Sequence, residues 1–313
     1  MSEGFAGSIP APRTQRATRA AGRIGAMRIS DLYARGEPVV SFEFFPPKTD
    51  AGYVSLAHTI ADLKRLSPGF VSVTWGAGGS TRRKTVDLVV SIQREIGITA
   101  MAHMTCVGAP RAELAETLAH LASEGLENVL ALRGDPPKDA ARFEAVPDGF
   151  SHADELVAFV RGHTALCVGG ACYPEKHPEA PSAEADLANL VRKVRAGAEF
   201  LITQLFFDAD DYSAFVARAR VAGIAVPIVP GIMPVVSAAN ARRMAQLCGS
   251  RIPDELEAQL AAAGDDEAAT LEVGVAWAAH QCRTLLERGA PGLHFYTLNK
   301  SPAARRVHES VFA

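Results

Sequence analysis

From about residue 39 the chain alternates between two hydrophobic periods. Short β-branched or apolar runs read as strands: Val39–Phe45, Phe70–Trp75, Ile98–Cys106, Asn128–Leu132, Leu166–Tyr173, Phe200–Phe207, Ala225–Ile232 and Leu293–Leu298. Between them, Leu56–Leu66, Thr81–Ile96, Ala112–Glu124, Ala153–Arg161, Ala183–Ala196 and Asp211–Ala222 repeat their apolar residues at helical spacing. Gly97, Gly125, Gly197 and Gly223 stand where helices end. A strand–helix repeat of about 30 residues predicts parallel strands joined by right-handed crossovers. Eight such strands in 313 residues predict an α/β fold, a closed (β/α)8 TIM barrel. Extra helices are expected between strands seven and eight, where residues 237–288 leave room for two or three. An open doubly wound sheet is the alternative, but no strand is followed by G-x-G-x-x-G. The nearest stretch, Gly76-Ala77-Gly78-Gly79-Ser80-Thr81, lacks the last glycine and the Gly-Lys-Ser/Thr of a phosphate loop. No linker rich in Pro or Ser splits residues 29–313, which read as a single domain.

Composition narrows the class. Hydrophobic residues make up 48% and charged residues 21%, the balance of a soluble globular protein. Lys and Arg total 32 against 35 Asp and Glu, a net charge of −3 that gives no general reason to expect a nucleic-acid partner. The five cysteines, Cys106, Cys167, Cys172, Cys248 and Cys282, are scattered and form no C-x-x-C pair, which suits a reducing cytoplasm better than secretion. No apolar run reaches the roughly 18–20 residues of a spanning helix, and the start has no signal-peptide core. Residues 1–28 differ from the body: Arg13, Arg16, Arg19, Arg23 and Arg28 face a single acid, Glu3. They read as a basic, disordered or partly helical tail, with an organelle transit peptide or a nucleic-acid or membrane contact as alternatives.

In a barrel of this kind the chemistry gathers at the carboxyl ends of the strands. Those ends carry Glu43, then Thr74 and Trp75, His103 and Thr105, Arg133 and Asp135, Tyr173 with His177, Gln204, and finally Thr297, Asn299 and Lys300. Such convergence of polar groups argues for an enzyme or small-molecule binder rather than a scaffold. Alternation along Ser41-Phe42-Glu43-Phe44 sends both phenylalanines to the helix side and Glu43 to the interior. A carboxyl there is costly unless paired or protonated, and desolvation raises its pKa toward that of a general acid. A structural ion pair is the competing reading. Arg133-Gly134-Asp135-Pro136-Pro137 reads either as a ligand loop, with Gly134 allowing close backbone approach, or as a turn closed by an ion pair. The stiff loop Tyr173–Ala180 leads to a helix whose Asp186, Asn189, Arg192 and Lys193 share much of one face. That face is either solvated or a phosphate and ribose contact. Metal-ligand spacings and the G-x-S-x-G elbow of serine hydrolases are both missing from the sequence.

Taken in order, SFEFFPP (Ser41–Pro47), FVSVTWG (Phe70–Gly76), AHMTC (Ala102–Cys106), ALRGD (Ala131–Asp135), YPEKHPEA (Tyr173–Ala180), ITQLFFD (Ile202–Asp208), VPGIMP (Val229–Pro234) and HFYTLN (His294–Asn299) resemble methylenetetrahydrofolate reductase in its bacterial single-domain form. The resemblance implies that residues 29–313 are a catalytic domain binding FAD. NADH or NADPH would reduce the flavin and leave, and 5,10-methylenetetrahydrofolate would take its place in a ping-pong cycle. Glu43 would be the acid that opens the folate ring at N10. Thr74, Trp75, Ala77, His103, Arg133, Gly134, Asp135, Ala153, Tyr173, His177, Ala180, Asp186, Asn189, Arg192 and Lys193 would surround the cofactors, while Asp135, Gln204 and Lys300 would meet the folate. A homo-oligomer is expected on the same ground. Three positions depart from the familiar pattern: Lys300 replaces an arginine and its bidentate fork, Trp75 stands where tyrosine is common, and Ala238 replaces a packing aromatic. Competing functions are a flavin-free, direct-hydride member of the same family, a folate-binding protein without catalysis, and a Schiff-base lyase. The lyase would need Lys300, which lies beyond its strand.

Overall fold

The predicted alternation folds as a ring of parallel staves, described by a computed structural model for residues 27–75, 79–136 and 143–313. Ala77 and residues 1–26 of the basic tail lie outside the described residues. The order is α1 (Ile29–Tyr33), β1 (Val39–Phe44), α2 (Asp50–Lys64), β2 (Phe70–Val73), α3 (Gly79–Ser91, continued by a π turn at Ile92–Ile96), β3 (Ala100–Thr105), α4 (Arg111–Ser123) and β4 (Asn128–Leu132). It continues with α5 (Ala153–His163), β5 (Cys167–Cys172), α6 (Ala183–Arg195), β6 (Phe200–Thr203), α7 (Ala209–Val221), β7 (Ile228–Val229) and β8 (Gly231–Ile232). Three helices then precede the last strand: α8 (Ala238–Cys248), α9 (Asp254–Ala263) and α10 (Glu267–Glu287), followed by β9 (Gly292–Tyr296) and α11 (Pro302–Phe312). Among the described residues no helix is long and apolar enough to cross a membrane.

All strand pairs are parallel, in the order β7-β6-β5-β4-β3-β2-β1-β9-β8. The seventh stave corrects the expectation of one strand over Ala225–Ile232. Pro230 breaks it into β7, which pairs with β6, and β8, which pairs with β9. Proline has no N–H to give a ladder, so the stave changes partner there. Its carbonyl still accepts from His294 N at 3.0 Å. Across the break, Tyr296 donates its hydroxyl to the Thr203 carbonyl at 2.6 Å and Gly231 N donates to Thr203 Oγ1 at 2.9 Å. Gly231 permits this closure, since a Cβ there would lie 2.4 Å from the Thr203 carbonyl oxygen.

Side-chain alternation builds two cores. Phe42, Phe44, Val71, Val73, Ala102 and Phe295 face the helix layer, where Phe42 stacks on Phe295 at 5.6 Å. The barrel interior is apolar at its lower end, where Val39, Phe70, Met101, Leu130, Cys167 and Phe200 meet Ile29, Leu32 and Tyr33 of α1. This short helix plugs the floor. Asn128 fastens it by accepting from Ile29 N at 2.8 Å and donating to Met27 O at 2.9 Å. Arg28, which the sequence assigns to the tail, is bound to the barrel through both carboxylate oxygens of Glu199, at 2.9 and 2.6 Å. With the floor sealed, the open end of the interior is the one where the polar strand ends converge.

Candidate active site

A cavity of about 390 Å³ opens at the carboxyl ends of the strands. The inserted helices form one wall. Leu205, Phe207, Met233 and Val235 pack on Ala241, Ala245, Leu256 and Leu260. The loop after β6 is held open by side chains that satisfy its carbonyls: Ser250 on Leu205, Gln281 on Phe206 and Trp277 on Phe207. Gln204, anchored through its N–H to Cys172 O at 2.7 Å, is thereby presented to the cavity.

Glu43 stands at the centre, with 18% of its side chain exposed. Its Oε2 lies 3.4 Å from His103 Nε2 and 3.4 Å from His294 Nε2. Register places these residues together: Glu43 pairs with Ser72 on β2 and with Tyr296 on β9, so His294 sits one step below on the same interior face. Burial pushes the Glu43 carboxyl up, as the sequence leads one to expect. The two imidazoles more than offset that push, and the carboxyl lies below its ordinary value. His103 is held low by burial and by His294, against the pull of Glu43. The central group is therefore a carboxyl bracketed by two histidines rather than an isolated buried acid.

Most of the residues singled out by sequence line this cavity: Thr74, Trp75, His103, Arg133, Gly134, Asp135, Ala153, Tyr173, His177, Lys193 and Gln204. Three buried polar atoms in its wall, Trp75 Nε1, His103 Nε2 and Thr105 Oγ1, have no hydrogen-bond partner. Such atoms are costly to leave unpaired and await a polar ligand. Gly134 lies on the rim at φ +83°, and a Cβ there would sit 2.8 Å from Val107 Cγ2. Gly134→Ala is accordingly expected to cost about 1–3 kcal/mol by chemical denaturation, because both the left-handed backbone and the close approach oppose a methyl group. An unchanged denaturation midpoint would contradict that conformation.

Asp186 and Asn189 line a smaller recess behind Tyr173 and His177, with Lys193 shared between the two spaces. Asp186 accepts from His177 N at 2.9 Å and so shapes the loop. Lys193 donates to Ala171 O at 2.6 Å, and burial lowers its pKa. Arg133 forms a two-pronged ion pair with Glu179. Three residues stand apart from the cavity. Ala180 accepts from Lys176 at 2.6 Å within its loop, and Arg192 points outward to Asp154 at 3.5 Å. Exposed Lys300 lines a separate groove of about 610 Å³, joined to the main cavity along Tyr296, Thr297 and Leu298. Ala238 packs in the inserted-helix cluster and lines neither space. Asn299 serves as a clamp: its side chain accepts from Phe45 N at 2.9 Å and donates to Phe45 O at 2.8 Å.

Sequence reading missed His294 and Ser41 as site residues. Strand alternation on β9 offered the signal, since a polar residue two before Tyr296 must face inward beside β1. The partner across that face becomes visible only once the register of β9 on β1 is known.

Residues 28–311 match the family model described as methylenetetrahydrofolate reductase. The 5,10-methylenetetrahydrofolate reductase of Escherichia coli is 39% identical over 277 residues, covering 88% of this chain and 91% of that one. The methylenetetrahydrofolate reductase (NADH) 1 of Arabidopsis thaliana is 39% identical over 290 residues, 88% of this chain and 49% of the relative. This chain spans about half the length of the plant and yeast relatives it matches. Among solved structures, a Clostridium thermocellum protein described as binding two copies of 5-methyl-5,6,7,8-tetrahydrofolic acid shares the fold, with a TM-score of 0.60 at 14% identity over 90% of this chain and 96% of that chain. By the extent of the family match and the identity to full-length bacterial relatives, this chain belongs to the methylenetetrahydrofolate reductase family.

Proposed function

We propose that the protein reduces 5,10-methylenetetrahydrofolate to 5-methyltetrahydrofolate at the expense of NADH or NADPH, with FAD held in the cavity. The observation that carries this reading is the Glu43 carboxyl in the cavity wall, flanked by His103 and His294, in a cavity lined from all eight staves. The wall fits a flat, polar-edged cofactor: Trp75 Nε1, His103 Nε2 and Thr105 Oγ1 are buried without hydrogen-bond partners, and Gly134 leaves the rim open to close approach. Thr74, Trp75, His103, Arg133, Gly134, Asp135, Ala153, Tyr173 and His177 would hold it, with Asp186, Asn189 and Lys193 in the adjoining recess. Bound FAD supplies the carrier that accepts hydride from the nicotinamide and delivers it to the folate.

The chain's own residues prepare the substrate. Glu43 donates a proton to N10, which opens the five-membered ring and leaves an electrophilic iminium at N5. Asp135 at the rim and Gln204 in the wall orient the pterin. Below the cavity the interior is filled by apolar side chains packed on α1. The same reading carries a homo-oligomer in a reducing, cytoplasmic setting.

The absorption spectrum of the fresh protein is the test. A flavin spectrum is expected, bleached anaerobically by NADH or NADPH and restored by methylenetetrahydrofolate. A colourless protein that still oxidises nicotinamide with folate would replace this reading by the flavin-free, direct-hydride one.

A further inference from the structure

Among the described residues that line the main cavity, one aromatic side chain stands open to solvent. Phe44 and Trp75 are buried and Tyr173 and Tyr296 are half-buried, whereas Phe45 is 43% exposed. It follows β1 directly. Alternation puts it on the same side as Glu43, two residues on and so about 6–7 Å nearer the mouth.

A lone exposed phenylalanine needs no explanation by itself. This one is held firmly. The Glu43 carbonyl accepts from Thr297 Oγ1 at 2.6 Å, and the Phe44 carbonyl accepts from Thr74 N at 2.8 Å. Asn299 then bonds both the N–H and the carbonyl of Phe45, at 2.9 and 2.8 Å. Pro46 and Pro47 stiffen the chain beyond. Asn299 reaches its place from a turn in which Leu298 and Asn299 both hold left-handed backbone, at φ 50° and 58°. Residues other than glycine hold that conformation at a cost, and such strain gathers at ligand sites. The inserted helices bring Met244 to the cavity lining and, among the described residues, no aromatic.

The folate offers a matching surface. N10, the atom that Glu43 protonates, is bonded directly to the benzoyl ring that joins the pterin to its glutamate. With N10 at the Glu43 carboxyl, that ring is one bond away. The space beneath is filled by Val39, Phe70, Met101 and Leu130. The pterin takes the side of Asp135 and Gln204. What remains for the benzoyl ring is the direction of the mouth, where Phe45 is the next side chain on the same face of the chain.

We propose that Phe45 is the platform on which the aminobenzoyl ring of the folate stacks, with Asn299 fixing the platform in place. The idea rests on the reductase reading and names a substrate contact within it. Stacking covers an apolar face that otherwise meets water, and two rings attract beyond the area they bury. Ring and N10 form one rigid unit, so seating the ring also sets N10 against the carboxyl. Phe45 thereby favours complete folates over bare pterins.

The test is calorimetric titration of the holoenzyme, without turnover, using 5-methyltetrahydrofolate and 5,6-dimethyltetrahydropterin, the same product cut short before N10. Phe45→Ala is expected to weaken binding of the folate about tenfold and to leave that of the pterin unchanged. Phe45→Tyr is expected to stay within about twofold of wild type, and Phe45→Leu to lose about threefold or more, because it keeps the apolar bulk but not the ring. An unchanged folate affinity in Phe45→Ala overturns the proposal. So does equal weakening for the pterin, which would move the contact to the other end of the substrate, and so does full affinity in Phe45→Leu, which would make it a generic apolar contact. The reductase reading fails separately, if the wild-type holoenzyme neither binds nor reduces the folate.

Discussion

Glu43→Gln is expected to slow folate reduction by about 10²–10⁴-fold, the usual contribution of a positioned general acid. The amide keeps the volume and can still hydrogen-bond His294, so the cavity should keep its shape. What is lost is the transferable proton. Hydride passage from nicotinamide to flavin needs no proton from this side chain, so that half-reaction is expected to fall by less than about tenfold, short of the general-acid contribution. Anaerobic stopped-flow measurement of each half-reaction separates the two effects. Equal losses in both would mean that Glu43 organises the site as a whole, and its role as acid would have to be abandoned. The pH behaviour matters as well. The neighbouring histidines hold the carboxyl below its ordinary value, against the push of burial.

Phe200→Ala carries the largest expected loss of stability, about 3–5 kcal/mol. Phe200 is fully buried in the floor, 6.0 Å from the Tyr33 ring and 6.4 Å from the Phe70 ring. Its ring fills the space left by Gly169, where a Cβ would come within 2.4 Å of Phe200 Cζ. Truncation would open a cavity between strands that cannot close on it without breaking ladder bonds. Against a typical total of about 5–15 kcal/mol, that loss is a large fraction of the fold's margin. A urea titration should show a lower midpoint with an unchanged slope. A loss below about 1 kcal/mol would mean that α1 moves in to fill the gap, and that the floor is less tightly fixed than its packing indicates.

The strand runs and their polar ends were readable because each depends on local periodicity. Phe42 and Phe44 point out and Glu43 points in for the same reason in the sequence and in the fold: successive residues of a strand face opposite sides. The loop Arg133–Asp135 and the residues Tyr173, His177 and Gln204 follow from being next to strand ends. Helical spacing puts Arg192 on one face with Lys193, yet that face is shared between cavity and solvent, and Arg192 falls on the solvent side with Asp154. Sequence order puts Lys300 with the strand-end groups, but the turn at Leu298 and Asn299, both at positive φ, carries it into the adjoining groove.

By itself the sequence determined the α/β alternation, the eight staves, the inserted helices and the inward direction of Glu43. These are properties of period and order along one chain. Tertiary structure alone decided the register in which the closed ring lays β9 on β1, which sets His294 between Ser41 and Glu43 across about 250 residues and, together with His103, reverses the effect of burial on the carboxyl. It also decided that the seventh stave changes partner at Pro230, with Tyr296 spanning the break. Periodicity tells which way a side chain points; what it meets there depends on the register between strands distant in sequence, which no local pattern records.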